Sequence, residues 1–368
     1  MKKTALIIIL MCAAMLPACG PRTTELTERG IIGALGIDYE NGFYEVSALF
    51  YNTDAASDTQ SSFDVEYVAG QGHDVHSAFE DMRKATSKKL FFGHNTVLII
   101  GRELAEKKIE ETFSYIAQNR EARLNISIFM AERTAGDIVK LNANDKALVG
   151  GSLEKLASDR PNGIDVKYQL FELLQKFEER GVCGVLPVVA VKRLEIKSDD
   201  SKGDEDIFDV TVDKLAVFYD SGMCGELSGD AMTGTLILQN RIDSIDIGAV
   251  TEGGCVYGTL IDTAANIDAA GQGDELRISI NCRGSVSVAG YDRTDSEPDL
   301  HQIRHLFESE VCRLIDLAYF RITNYFKADL FDTEWYVSQR VSKKEAERYY
   351  AQGIIPLAQT DCILSITG

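Results

Sequence analysis

The sequence predicts a mixed α+β protein, an α/β chain of two to three sheet-plus-helix domains with a long amphipathic helix near its C-terminus. Three observations carry this reading. The chain has 368 residues, enough for more than one domain with its own core. Strand-like and helix-like segments alternate from residue 30 to 140, as expected for helices packed on a sheet. Far along the chain, Leu300, Ile303, Phe307, Val311, Leu314, Ala318, Ile322 and Tyr325 recur at three- and four-residue steps and form one apolar stripe.

Taken in order, Ile31 to Ile37 and Phe43 to Tyr51 read as strands around Asp38-Tyr39-Glu40-Asn41-Gly42, where Asn-Gly is a hairpin signal. Phe63 to Val68 is a further short strand. His73 to Thr86 has helical spacing with Val75, Phe79 and Met82 on one side. Val97 to Ile100 is a short apolar run of the buried-strand type, followed by a helix over Glu103 to Ala117 and a strand over Leu124 to Met130. Tyr168 to Phe177 places Phe171, Leu174 and Phe177 on one helical face, closed by Gly181. Leu186 to Ile196 is again strand-like.

A composition change follows. Lys197 to Asp206 is acidic and lacks any apolar side chain, so it cannot pack and reads as a linker or surface loop. A calcium loop is the alternative for so many carboxylates, but the EF-hand spacing is missing. Beyond it, Asp213 to Tyr219 and Leu276 to Val288 alternate as strands. The long helix runs from about Pro298 to Lys327, a core element or a surface for a partner helix, and Cys362 to Thr367 ends the chain as a strand. The expected organisation is residues 1–18, 19–29, a mixed α/β region over 30–196, the acidic linker 197–207 and a second mixed domain over 208–368.

The first two of those segments set the compartment. Met1-Lys2-Lys3 precedes about a dozen apolar residues from Ala5 to Leu16, then Leu16-Pro17-Ala18-Cys19. That layout is a secretory signal, too short for a span of roughly 20 residues. The cysteine after a small residue resembles the bacterial lipoprotein signal, in which Cys19 carries a diacylglycerol after cleavage. Two acyl chains hold a protein to a bilayer where one gives marginal binding. Residues 20–24 form a short tether. The formal charge of −19 becomes −21 once Lys2 and Lys3 leave with the signal. Such a protein has no footprint for nucleic acid, and anionic headgroups should repel it.

No nucleophile elbow, zinc-protease helix or phosphate loop is present, so no catalytic residue is assigned, which favours a binding or structural role without proving that catalysis is absent. Cys183, Cys224, Cys255, Cys282, Cys312 and Cys362 lie 27 to 50 residues apart, without the close pairs of a zinc site. They are free thiols or up to three disulfides, with a lean toward buried thiols in a chain this large. His73 with His76, and His301 with His305, can each share a helical face, but spacing suggests no third ligand. Gly30, Gly33 and Gly36 lack the dinucleotide fingerprint and point to turns or close backbone approaches. No metal or cofactor is expected beyond the acyl group.

Leu90-Phe91-Phe92-Gly93-His94-Asn95-Thr96-Val97 and the residues to Ala105 resemble a segment of the Ger(x)C family, the lipoprotein C subunits of spore nutrient germinant receptors. Gly33 to Asp38 precedes it, Arg120-Glu121-Ala122-Arg123 follows, and Lys214 to Tyr219, Gly225 to Leu227, Thr233-Gly234 and Ile366-Thr367-Gly368 continue the match in order. Asp329 resembles an aspartate that follows the family's long helix, while the usual glutamine and glycine-containing loop are not evident. The resemblance implies three mixed α/β domains and no catalysis. It also implies a lipid anchor on the outer face of the inner spore membrane, and membrane-spanning A- and B-type subunits as partners. The motif residues Phe92, Gly93, His94, Arg120 and Arg123 then have a structural role, with Gly93 turning the chain into the Val97 strand and His94 capping or hydrogen-bonding that turn, the alternative being a contact with a partner. The alternative is a lipid-anchored solute-binding protein serving a transporter.

Overall fold

The computed structural model describes residues 29–52, 64–119, 121–144, 149–160, 163–180, 184–194, 207–220, 222–251, 254–271, 276–292, 299–351 and 356–367. The first strands are β1 (Arg29–Glu40), β2 (Phe43–Asn52) and β3 (Asp64–Gly72). Asn41 and Gly42 both take positive φ, 53° and 86°, and close the β1–β2 hairpin at the expected place. Helix α1 (Val75–Lys84) follows, capped by Asp74 and burying Val75, Ala78, Phe79 and Met82. Then come β4 (Lys89–Phe91), β5 (Val97–Ile100), α2 (Arg102–Lys107), α3 (Ile109–Gln118) and β6 (Ser127–Ala131). Helices α4 (Ala135–Asn144), α5 (Val149–Asp159) and α6 (Leu170–Arg180) lead to β7 (Gly184–Leu194), β8 (Ile207–Tyr219) and β9 (Gly222–Ser228).

These strands make one nine-stranded sheet in the order β3-β2-β1-β5-β6-β7-β8-β9, with β4 also beside β1. The centre, β1-β5-β6-β7, is parallel, and antiparallel pairs flank it on both sides. Helices cover both faces. Val97 and Ile99 of β5 face Ile138, Val139 and Leu153, while Leu98 and Ile100 face the larger core with Phe79, Phe113 and Leu174. All four residues of β5 are therefore buried, which is why the segment reads as an unbroken apolar run.

The acidic run does not separate two sheets. Residues 195–206 lie outside the described residues, but Leu194 and Ile207 on either side are register partners, so the first sheet continues through β8 and β9. The second body starts with α7 (Gly229–Leu238), followed by β10 (Ser244–Thr251), β11 (Gly254–Ala270) and β12 (Arg277–Asp292). It is completed by α8 (Leu300–Phe320), α9 (Thr333–Ser338), α10 (Lys343–Ala351) and β13 (Ala358–Thr367). A four-stranded sheet, β10-β11-β12-β13, results. Its last pair is parallel, and α8 packs along it.

The apolar stripe of α8 is core. Ile303, Phe307, Val311, Leu314, Ala318 and Ile322 are buried, and only the ends, Leu300 and Tyr325, are exposed. Asp299 is its N-cap, and Gln302 completes the capping box. The helix closes in a single π-turn, Arg321–Tyr325. Three elements differ from expectation. The helix over 103–117 is broken at Lys108 (φ −139°), and the break lets Leu104 with Ala105 and Ile109 with Phe113 reach the same core. In α6 the buried set is Leu170, Leu173 and Leu174, and Phe171 faces out. The strand from Leu124 starts only at Ser127, because Leu124 accepts from Phe171 N–H instead. Gly30, Gly33 and Gly36 are close approaches inside β1, not turns. A Cβ on Gly36 would stand 2.6 Å from Ser47 Oγ.

Candidate functional site

The F-F-G-H segment forms a cap at the end of the first sheet where β1 begins. Strand β4 pairs with that beginning, Arg29 opposite Lys89 and Ile31 opposite Phe91. The chain then makes one 3₁₀ turn, Phe92–His94, closed by Asn95 N–H donating to Phe92 O at 3.0 Å. Thr96 donates through both N–H and Oγ to Gly33 O, at 3.2 Å each, and delivers the chain into β5.

Within the cap the two phenylalanines have opposite fates. Phe92 is buried and meets Phe79 edge-on at 5.8 Å, with Phe79 stacked on Tyr115 at 5.7 Å. Arg83 lies over the Phe92 ring at 5.5 Å and is held there by Glu121 at 2.6 Å. Phe91 is exposed, with Arg29 over its ring at 5.5 Å. A Cβ on Gly93 would stand 2.6 Å from the tip of the exposed Phe91 ring, which would have to swing aside. Arg123 donates to Gly93 O at 3.2 Å and ties the R-E-A-R segment to the turn. His94 is exposed, touches the Phe91 ring at 5.9 Å, and makes no hydrogen bond among the described residues, so it does not cap the turn. Arg120 and Cys19 lie outside the described residues. Arg123→Met should cost less than about 1 kcal/mol, as expected for one exposed hydrogen bond. A larger loss in urea unfolding would mean that Arg123 carries more of the cap than this bond.

A second cluster joins residues of several family-like stretches that the sequence does not single out as a site. Asp38, at the end of β1, is buried and accepts from Ala135 N–H at 2.7 Å and Gly136 N–H at 2.8 Å. Its carboxylate thus caps the N-terminus of α4. Burial outweighs these bonds and moves its pKa from 3.8 to about 6, with Glu45 and Glu40 adding to the rise. Nearby, Arg102 Nε donates to Glu132 O at 2.7 Å and its guanidinium pairs with Glu226, while Lys214 joins Glu132 at 2.7 Å and Glu226 at 3.9 Å. Four charges on α2, β8, β9 and the end of β6 form one network. The only sequence cue to Asp38 is its place at the end of the G-A-L-G-I-D stretch.

A cleft of about 370 Å³ lies where α6, α7, β11 and the segment after α8 meet. Arg241 stacks on Tyr168 at 3.9 Å and pairs with Asp165 at 3.3 Å and Glu172 at 3.5 Å. Tyr168 OH donates to Gln239 Oε1 at 2.6 Å across it. The charge of Arg241 is already paired, and the Tyr168–Gln239 bond ties the walls together.

Five cysteines are free thiols, and Cys183 lies outside the described residues. Cys282 and Cys362 face each other across β12 and β13, and Cys312 of α8 donates to Thr360 O at 3.8 Å beside them. Donating toward Cys282 and Cys312, together with burial, pushes the Cys362 thiol up. Among the described residues no His/Cys/Asp/Glu group has metal-holding geometry, and no helix is long and apolar enough to cross a membrane.

Fold and site define a two-sheet α+β protein with a filled core, whose motif residues shape a surface cap. Two family models match it in succession: the spore germination protein N-terminal domain over residues 22–191, and the spore germination B3/GerAC-like C-terminal domain over residues 213–359. The chain belongs to this family of spore germination proteins, the Ger(x)C family. It is 22% identical over 258 residues to spore germination protein KC of Bacillus subtilis (strain 168), a match covering 66% of this chain and 63% of that protein. The crystal structure of the GerBC protein resembles it with a TM-score of 0.57 and 12% identity, over 91% of this chain and 97% of the other, which establishes the shared fold.

Proposed function

We propose that this chain is a non-catalytic, lipid-anchored subunit of a spore germinant receptor. In this reading it sits on the outer face of the inner spore membrane and assembles with membrane-spanning A- and B-type subunits to couple nutrient sensing to germination. The observation that carries the proposal is the pair of family models running in order from residue 22 to 359. The signal-like start ending at Cys19 supports the anchor, with diacylglycerol on the thiol. A solute-binding role fits less well, because the cleft at Arg241 is braced across by paired charges rather than open between two lobes.

Deleting the chain should abolish dipicolinate release in response to a subset of nutrients while leaving release by a surfactant intact. Cys19→Ala should then reproduce the deletion with the protein found off the membrane fraction. Normal release to every single nutrient and mixture would sink the receptor reading. In that case a nutrient that raises the melting temperature of the purified chain would establish solute binding.

A further inference from the structure

The overall charge of −19 conceals a local excess of the opposite sign. Residues 82–102 contain Arg83, Lys84, Lys88, Lys89 and Arg102 and not one Asp or Glu. The fold gathers most of these cations at the F-F-G-H cap. Helix α1 ends on Arg83 and Lys84, a short turn carries Lys88, and β4 opens with Lys89. Lys89 stands directly across from Arg29, and Arg123 closes over Gly93 from the other side. Like charges in register across strands repel, and among the described residues no acid pairs with Arg29, Lys84, Lys89 or Arg123. Glu80 and Glu121 answer Arg83, and Asp81 accepts from Gln71 N–H. Asp64 and Glu66 lie beyond β2, on the far strand β3. At the centre of these cations Phe91 is 39% exposed.

This cap is also where the chain enters the fold. Arg29, the first described residue, is ten residues from Cys19. Ten residues reach about 36 Å at full extension and about 17 Å on average when flexible. A fold anchored through Cys19 is thus held near the bilayer by its cationic end. Salt confines electrostatics to about 8 Å, so at contact the local charge decides: the cations of the cap outnumber Glu28, which adjoins Arg29 in the chain, and the distant acids are screened.

We propose that the F-F-G-H cap, through Arg29, Lys84, Lys89, Arg123 and the exposed Phe91 ring, is a docking surface for the anionic phospholipid face of the bilayer that holds the anchor. The proposal rests on the anchored reading and reverses the repulsion expected from net charge alone. It sets the orientation of the molecule, with the start of β1 toward the membrane. An acidic loop of a protein partner is the competing occupant.

The test uses the chain starting at residue 19 with Cys19→Ala, so that no acyl group contributes. It is sedimented with vesicles of phosphatidylcholine alone and with vesicles in which phosphatidylglycerol replaces part of that lipid. Binding should appear only with phosphatidylglycerol and vanish at ~1 M salt, where the screening length is about 3 Å. The triple variant Arg29→Gln/Lys84→Gln/Lys89→Gln should bind at least about tenfold more weakly. A control triple, Lys155→Gln/Lys343→Gln/Lys344→Gln, has the same net charge and should bind like the parent. Equal binding to both vesicle types, or equal loss in both triples, would overturn the proposal and leave a protein as the occupant. The mass of the N-terminal peptide from native membranes is read separately. An acylated Cys19 with no vesicle preference sinks the cap alone, whereas an unmodified Cys19 sinks the anchor and the orientation with it.

Discussion

Gly234→Ala is expected to destabilise the protein by about 2–4 kcal/mol, although helix propensity by itself argues for the opposite sign. In an isolated helix the change gains about 1 kcal/mol, because glycine loses more backbone entropy than alanine. Here α7 crosses α8 so closely that a Cβ on Gly234 would lie 2.0 Å from Leu314 O and 2.6 Å from Leu314 C. Both are backbone atoms, and Ala318 Cβ blocks the adjacent space at 2.9 Å. No rotamer change relieves the contact, so the two helices must separate. Parting them loosens a core in which Leu236, Phe307, Val311 and Ile315 are fully buried. Urea unfolding followed by circular dichroism would show a lower midpoint, and an unchanged or raised midpoint would refute the close approach. The Thr233-Gly234 pair that marks the family in the sequence thus has a packing explanation.

The second expectation couples a substitution to pH. Asp38 titrates near 6 in the fold and near 3.8 when unfolded. Its folded pKa is raised, so the native state holds the proton more tightly. The resulting stability is fully present below about pH 4 and is lost as pH rises through 6. The shift corresponds to roughly 3 kcal/mol across that window. Asp38→Ala removes the acceptor of two buried N–H groups and should cost about 2–4 kcal/mol at pH 5. The difference between variant and parent should shrink toward pH 7.5, because only the parent then bears a buried charge. Parallel stability–pH curves for the two proteins would show that Asp38 does not titrate in this range.

Much of the architecture was legible in the residues. Asn41-Gly42 marked its hairpin because a turn with positive φ at both positions favours that pair. Val97 to Ile100 was readable because a strand covered on both faces cannot alternate. The stripe of α8 was readable as a helix, but its burial was not, since the same stripe suits a partner. The strand β11 escaped notice because its outward side is polar and alanine-rich and its register shifts between Ile261 and Ala264. Helices α4, α5, α9 and α10 also went unread.

For the candidate site, the sequence marked which residues belong together and the fold decided what each does. Phe92 became core and Phe91 surface, a distinction that two adjacent identical side chains cannot carry locally. Gly93 lies under the ring of Phe91, whereas His94 stays at the rim. Asp38 acquired its role from the arrival of α4, almost a hundred residues later in the chain.

By itself, then, the sequence determined the family, the succession of most strands and half of the helices, the amphipathic stripe of α8 and the acidic balance. Those properties reside in local periodicity, motif order and composition, which need no partner to be read. Tertiary structure alone decided that the acidic run joins paired strands rather than separate sheets, that Gly234 admits no Cβ, and that scattered cations from Arg29, Lys89 and Arg123 converge on one cap. Each depends on which distant segments pack together, and close packing and electrostatics act on distances in space rather than along the chain.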